Sequence, residues 1–133
     1  RPNTRFPGSG GACDVASFAS GVITFMVHDK RRFVEKLDYL TSVGWYQGGS
    51  SRQKAGLRRG GAIAVVTNLG LMKFEETSKE MVLAQYYPGV SVTKIVENTS
   101  FSIDVSGATE APPPTAEELR ILREEVDPQR LIL

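Results

Sequence analysis

A chain of 133 residues suits a single domain with a core of its own. Its 41% hydrophobic and 23% charged content is that of an ordinary globular protein. Sixteen basic against fifteen acidic residues, a formal charge of +1, give no support to the basic excess of a nucleic-acid footprint and leave room for a local patch that meets a phosphorylated ligand. The first residues are Arg1-Pro2-Asn3, with no methionine, which suits a trimmed, cleaved or partial polypeptide. Residues 1–12 are rich in Pro and Gly and end in Gly8-Ser9-Gly10-Gly11-Ala12. A short helix is expected from this cluster to Ser20, with Val15, Phe18 and Ala19 at helical spacing. Gly21 ends it, and the run Val22–Val27 predicts a strand buried on both faces.

Residues 28–40 carry Phe33, Val34, Leu37, Tyr39 and Leu40 behind Asp29-Lys30-Arg31-Arg32, a pattern equally compatible with helix and extended chain. The glycines at 44, 48, 49, 56, 60 and 61 mark a long loop, functional or mobile by type. Three strands are expected over 62–67, 71–75 and 80–86, the last two joined by a hairpin turn at Glu75–Lys79, with Pro88-Gly89 closing the meander. Ser91 caps a short helix to Asn98, and 101–105 reads as a further strand. Ala111-Pro112-Pro113-Pro114 is a stiff spacer. After it, Thr115 and Glu118 form a capping box for a helix with Leu119, Leu122 and Val126 on one face, stopping before Pro128. That helix and the tail Leu131-Ile132-Leu133 are expected to pack on the domain or a partner. The apolar runs are too short to cross a bilayer, and neither a signal peptide nor a repeat is visible. The reading is one α/β domain over 1–133, with a central mostly parallel sheet, short flanking helices and a β-meander.

The glycine cluster is the strongest chemical signal. Gly8, Gly10 and Gly11 allow positive φ and close approach of a ligand, and a helix starting there aims free N–H groups at an anion or a developing oxyanion. A tight Gly-rich connection between layers explains the same residues. The run Gly8-Ser9-Gly10-Gly11-Ala12-Cys13-Asp14, followed by a strand ending at His28, resembles the G-x-G-G-A-x-D segment of CoA-transferase family I. Lys30–Tyr39 with Thr41-Ser42, Val66–Gly70, Pro88–Val92, Glu97–Phe101 and Thr115–Arg120 through Asp127-Pro128 are similar to the B-type branch of the glutaconate CoA-transferases, in order from about Phe6 onward.

This resemblance implies an α/β half of a heteromeric enzyme whose site is shared between A-type and B-type halves. A B-half glutamate attacks the acyl-CoA, and CoA then forms a thioester on that carboxylate. The glutamate lies upstream of the glycine segment in the family, so no catalytic nucleophile is assigned in this chain. Gly8, Ser9, Gly10, Gly11 and Ala12 inherit the binding of CoA or the thioester oxygen through backbone N–H groups. The implied partners are an A-type subunit, the N-terminal part of the B-type subunit and an acyl-CoA, with CoA thioester as substrate and no permanently bound cofactor, metal, nucleic acid or membrane. Relatives in the family decarboxylate an unsaturated dicarboxylic acyl-CoA or hydrolytically open a CoA-linked ring. These chemistries, and a non-catalytic interaction domain, stand as alternatives to CoA transfer.

Other residues carry paired readings. Cys13, the single cysteine, is a small buried side chain or a thiol lowered by the helix end; it permits no internal disulfide, and a reducing, cytoplasmic setting is the default. Asp14 stabilises the first helical turn or touches the site. His28, the only histidine, is structural or a general acid/base at a strand end, and cannot by itself make a zinc cluster. Lys30, Arg31 and Arg32, like the loop residues Arg52, Lys54, Arg58 and Arg59, meet CoA phosphates, contact a subunit or stay solvated. Trp45 and Tyr46 line a pocket or an interface, or pack in the core.

Overall fold

The computed structural model describes residues 8–131. Helix α1 (Gly10–Phe18) and strand β1 (Val22–Phe25) lie near the expected positions. The 44–61 segment holds a one-turn helix, α2 (Ser51–Lys54), before strands β2 (Ala62–Val66), β3 (Gly70–Phe74) and β4 (Met81–Tyr86). Helix α3 (Val92–Glu97), strand β5 (Thr109–Glu110) and helix α4 (Ala116–Ile121) complete the chain, with a wide turn of π-helix at Leu122–Val126.

The five strands form one sheet in sequence order. β1 pairs with β2, and β4 with β5, in parallel; β2/β3 and β3/β4 are antiparallel. The α/β class and the meander stand, but the sheet is mixed instead of mostly parallel. Loop length explains it: tight turns between β2, β3 and β4 permit only antiparallel neighbours, whereas the parallel pairs are joined by long crossovers. In the β3–β4 hairpin the Glu75 carboxylate accepts from the backbone N–H groups of Ser78 and Thr77, which holds its pKa down to about 2.

Alternation places Val65, Met72 and Leu83 on one face of the sheet, where Phe33, Leu69, Ile95 and Ile103 complete a buried cluster. Phe33 reaches it from a turn, not a helix: Asp29 folds its carboxylate onto the backbone N–H groups of Arg31 and Arg32 and its carbonyl onto that of Phe33. Ser91 caps α3 as expected, accepting from the Lys94 N–H at 3.2 Å.

Two expectations fail, each for a local reason. Residues 101–105 make only an isolated bridge, Asp104 to Val82, because Ile103 turns into the core and the Asp104 carboxylate folds back on the Ser106 N–H. The strand at 22–25 is not buried on both faces: Ile23 is 63% and Phe25 83% exposed, since β1 is an edge strand with nothing laid over it. The capping box on α4 is present, with Thr115 Oγ1 accepting from the Glu118 N–H and Glu118 accepting from the Thr115 N–H. Yet no residue of α4 or the π-turn is buried, and the apolar stripe is left half-covered, with Val126 exposed. Leu131 is exposed as well, and residues 132 and 133 lie outside the described residues.

Candidate functional site

Helix α1 organises the candidate site, and its two ends are built differently. At its start Cys13 N–H donates to the Ser9 carbonyl at 3.0 Å, the first bond of the helical ladder. The amides of Gly10, Gly11 and Ala12 therefore precede the ladder and have no acceptor within the helix. Ser9 supplies no side-chain cap. Gly8, Gly10, Gly11 and Ala12 are exposed, and a methyl group added at Gly8, Gly10 or Gly11 would meet no atom within 4 Å. Gly10 and Gly11 do not use the positive φ that glycine allows. Neither backbone conformation nor packing against the described residues requires glycine at 10 and 11, and glycine is a weaker helix former than alanine, by up to about 1 kcal/mol.

Asp14 falls beyond the first turn because the helix begins at Gly10, so the expected dipole role does not apply to it. Cys13 is half-buried. Its surroundings hold no histidine, since His28 is engaged elsewhere.

The other end of α1 is fastened by Arg52. This side chain is 1% exposed, which removes it from the solvent-facing bases available for phosphates. Its guanidinium donates to four backbone carbonyls: Ser17 at 2.8 Å, Gly44 at 2.8 Å, Arg59 at 2.9 Å and Ala16 at 3.3 Å. Ala16 and Ser17 lie in the last turn of α1, where the helix dipole is negative, so the cation is held by carbonyls without a carboxylate. The loop expected to be long and irregular is thereby clamped onto α1. Lys54, Arg58 and Arg59 are exposed. Arg58 and Arg59 line a pocket of about 230 Å³ with Phe18 and Leu57. That pocket is at the far end of α1, where Phe18 lies about 12 Å along the axis from Gly10 at 1.5 Å per residue.

His28 is 3% exposed and stacks on Phe33 with ring centroids 3.8 Å apart. Its Nε2 lies 2.9 Å from Thr99 Oγ1, and that hydroxyl already donates to the Ile95 carbonyl, so Nε2 carries the proton. Nδ1 faces Thr67 Oγ1 at 3.5 Å. Burial lowers the His28 pKa, and attraction by Asp29 only partly opposes this. The ring is thus a neutral bridge between the ends of β1, β2 and α3.

Lys30, Arg31 and Arg32 are exposed, and Arg32 is ion-paired with Asp29. Trp45 is half-buried, donates from Nε1 to the Ala62 carbonyl at 2.8 Å and carries the Lys79 ammonium 4.7 Å from the ring centroid. Trp45 and Tyr46 line a cavity of about 630 Å³ with Phe74, Lys79, Met81 and Phe101. Among the described residues no group of three or more His, Cys, Asp or Glu side chains is arranged to hold a metal ion, and no helix is long and apolar enough to cross a membrane.

The structure thus leaves the glycine amides open, keeps Lys30 and Arg31 at the surface, and withdraws Arg52 and His28 into the interior. Sequence reading misses the Arg52 clamp, since four backbone carbonyls leave no mark in side-chain identity. The profile of the coenzyme A transferase family matches residues 1–98. The chain belongs to the coenzyme A transferase family. It is 46% identical over 128 residues to the B subunit of glutaconate CoA-transferase of Acidaminococcus fermentans, covering 96% of this chain and 48% of that one. The crystal structure of that organism's glutaconate CoA-transferase superposes with a TM-score of 0.86 at 45% identity, over 98% of this chain and 50% of the other. The B subunit of 3-oxoadipate CoA-transferase of Pseudomonas knackmussii is 37% identical over 124 residues, covering 92% and 48%. The IpdB subunit of the cholesterol ring-cleaving hydrolase of Rhodococcus jostii is 33% identical over 107 residues, covering 78% and 41%. This CoA-transferase chain is B-like, and it spans about half the length of the curated relatives it matches.

Proposed function

We propose that the chain works as part of a cytoplasmic heteromeric CoA-transferase, moving CoA between short carboxylic or dicarboxylic acids. The likeness to the glutaconate CoA-transferase B subunit across nearly the whole length of this chain carries the reading. In it, the amides of Gly10, Gly11 and Ala12, with Gly8 and Ser9 before them, donate to the carbonyl oxygen of the CoA thioester. Their support is geometric: three free N–H groups at a helix start stabilise an oxygen that gains negative charge, and glycine leaves room for the acyl carbon to come close. The attacking carboxylate, an A-type subunit and the other segment of the B-type subunit are supplied from outside residues 8–131. Lys30 and Arg31 contact CoA phosphates or the partner, and the uncovered face of α4 docks on the assembled enzyme.

The test is Gly10→Val in the assembled enzyme. A Cβ there meets no atom of the described residues, so the fold is kept and thermal unfolding does not fall, while glutaryl-CoA turnover falls by about 100-fold because the branched side chain keeps the thioester oxygen off the amides, an effect the size of a lost oxyanion contact. Unchanged turnover removes the loop from the mechanism. Calorimetry with acetyl-CoA and glutaryl-CoA, with and without the partner, separates this reading from a scaffold, which binds neither.

A second reading, acyl-CoA ring hydrolysis, is favoured by the likeness to the IpdB subunit. The residue at the nucleophile position discriminates: glutamate supports transfer, and another residue supports hydrolysis or decarboxylation.

A further inference from the structure

Residues 45–48 and the β3–β4 hairpin form two walls of the cavity beside Trp45, and the walls are tied to each other. Gly49 N–H donates to the Ser78 carbonyl at 2.8 Å, and a methyl group at Gly48 would sit 2.6 Å from that same oxygen, so glycine is what lets them meet. Trp45 is held in turn by its Nε1 bond to the Ala62 carbonyl and by Ser51 Oγ, which donates to the Trp45 carbonyl at 3.1 Å. At about 630 Å³ the space has the size of a small-molecule site, and the rings of Trp45, Tyr46, Phe74 and Phe101 give it the apolar lining of one.

Two backbone positions on this lining are strained. Among the described residues three other than glycine have positive φ, and two of them, Tyr46 (60°) and Lys79 (63°), line the cavity. Lys79 closes the hairpin loop, its N–H donating to the Glu75 carbonyl at 3.0 Å, at a place where glycine would relieve the strain. Lysine there weakens the turn, yet its side chain is placed in the cavity: the residue is half-buried, with the ammonium 4.7 Å from the Trp45 ring centroid. No carboxylate of the described residues pairs with that ammonium.

We propose that this cavity binds a monocarboxylic acid with an aromatic body, a ligand that the CoA-transfer reading neither requires nor excludes. The carboxylate pairs with the Lys79 ammonium, and the ring lies against Phe74 and Phe101. Charge sets the class. One cation in an aromatic lining calls for one negative charge, and Glu35 and Glu80 on the same lining repel a second. An ammonium is a point charge without the planar fork of a guanidinium, so the apolar body orients the acid. Because the two walls are joined before the ligand arrives, little ordering is needed on binding.

The probe is phenylacetate, titrated into the chain and into the assembled enzyme by calorimetry and by the emission of Trp45, the single tryptophan. The emission shifts and saturates. Phenylacetamide, the same ring without the charge, binds at least about ten-fold more weakly, the loss expected for one charge-assisted contact. Phenyl phosphate, with its second charge, also binds more weakly than phenylacetate. Lys79→Gly suits the turn and keeps the fold, and by calorimetry it removes the preference for acid over amide, whereas Lys79→Arg retains it. A lysine that only latches the hairpin to Trp45 would leave no such preference to lose. No saturation at millimolar phenylacetate, equal affinity for acid and amide, a preference that survives Lys79→Gly, or tighter binding of phenyl phosphate each overturns the proposal. So does binding to the chain that disappears in the assembled enzyme, which would make the cavity a contact between subunits.

Discussion

Replacing Arg52 by methionine tests whether the clamp on α1 is structural. Methionine fills most of the volume but offers no donor, so the carbonyls of Ser17, Gly44, Arg59 and Ala16 lose their partner inside the protein. Three of the bonds are 2.8–2.9 Å long and dominate; the two at 3.3 Å, from Nη2 to Ala16 and from Nε to Arg59, are weaker. A hydrogen bond from a charged donor contributes about 1.5–3 kcal/mol net, and removing the guanidinium also removes its desolvation cost, which offsets part of the loss. The expected destabilisation is about 3–4 kcal/mol, within the range for breaking a buried charged network. In a domain of this size that lowers Tm by about 10–15 °C. Arg52→Lys keeps the charge but not the planar fork and falls between wild type and methionine. Circular dichroism melts and urea titrations measure the loss, and hydrogen exchange at residues 16–19 locates it. A Met variant within about 0.5 kcal/mol of wild type, with exchange at 16–19 unchanged, refutes the clamp.

Two further predictions concern the interior. The folded-state pKa of His28 lies below the ordinary 6.5, so its stabilising contribution is complete above that value and is lost as pH falls from 6.5 through the folded pKa. With one histidine in the sequence, the unfolding free energy should decline over this window with a slope of at most about 1.4 kcal/mol per pH unit, and His28→Gln should flatten it; an unchanged slope in the variant refutes the assignment. Gly61 has φ +117°, and a methyl group there would sit 2.7 Å from the Trp45 ring. Gly61→Ala should cost about 1–3 kcal/mol and red-shift the emission of this single tryptophan, while unaltered emission would show that the ring is not held against the backbone.

Local signals are legible in the sequence where the partner is also local. Thr115 and Glu118 are three residues apart and satisfy each other's backbone, and Ser91 does the same for Lys94, so both helix starts can be read from residue types alone. The meander is legible because its turns are short. What the sequence hides is distance and context. Arg52 reaches Ala16 across 36 residues to meet a carbonyl, an acceptor that every residue carries. β5 is held by two residues of pairing, too few for any periodicity. The apolar run at 22–27 is made for burial, and residue types alone do not tell that β1 takes an edge of the sheet, where Phe25 is exposed. For the site, the position of the glycine cluster at a helix start is readable. That Gly10 and Gly11 keep ordinary helical φ is not, because a glycine does not announce which of its freedoms it uses.

The asymmetry of α1 joins these observations into one physical account. A helix whose starting amides must meet a developing charge works best when it does not move as the charge forms, because reorganisation at that moment would consume the stabilisation. Among the described residues the glycine end has no side-chain cap and no cover, so none of them fixes its position there. Arg52 fixes it from the opposite end, tying the last turn of α1 to Gly44 and Arg59 through a rigid planar group. The helix then transmits that anchorage along nine residues. On this account Arg52→Lys in the assembled enzyme lowers kcat more than it raises KM, because ground-state binding tolerates a small tilt of the amides and transition-state stabilisation does not. A rise in KM alone would mean that the clamp serves only to hold the fold together.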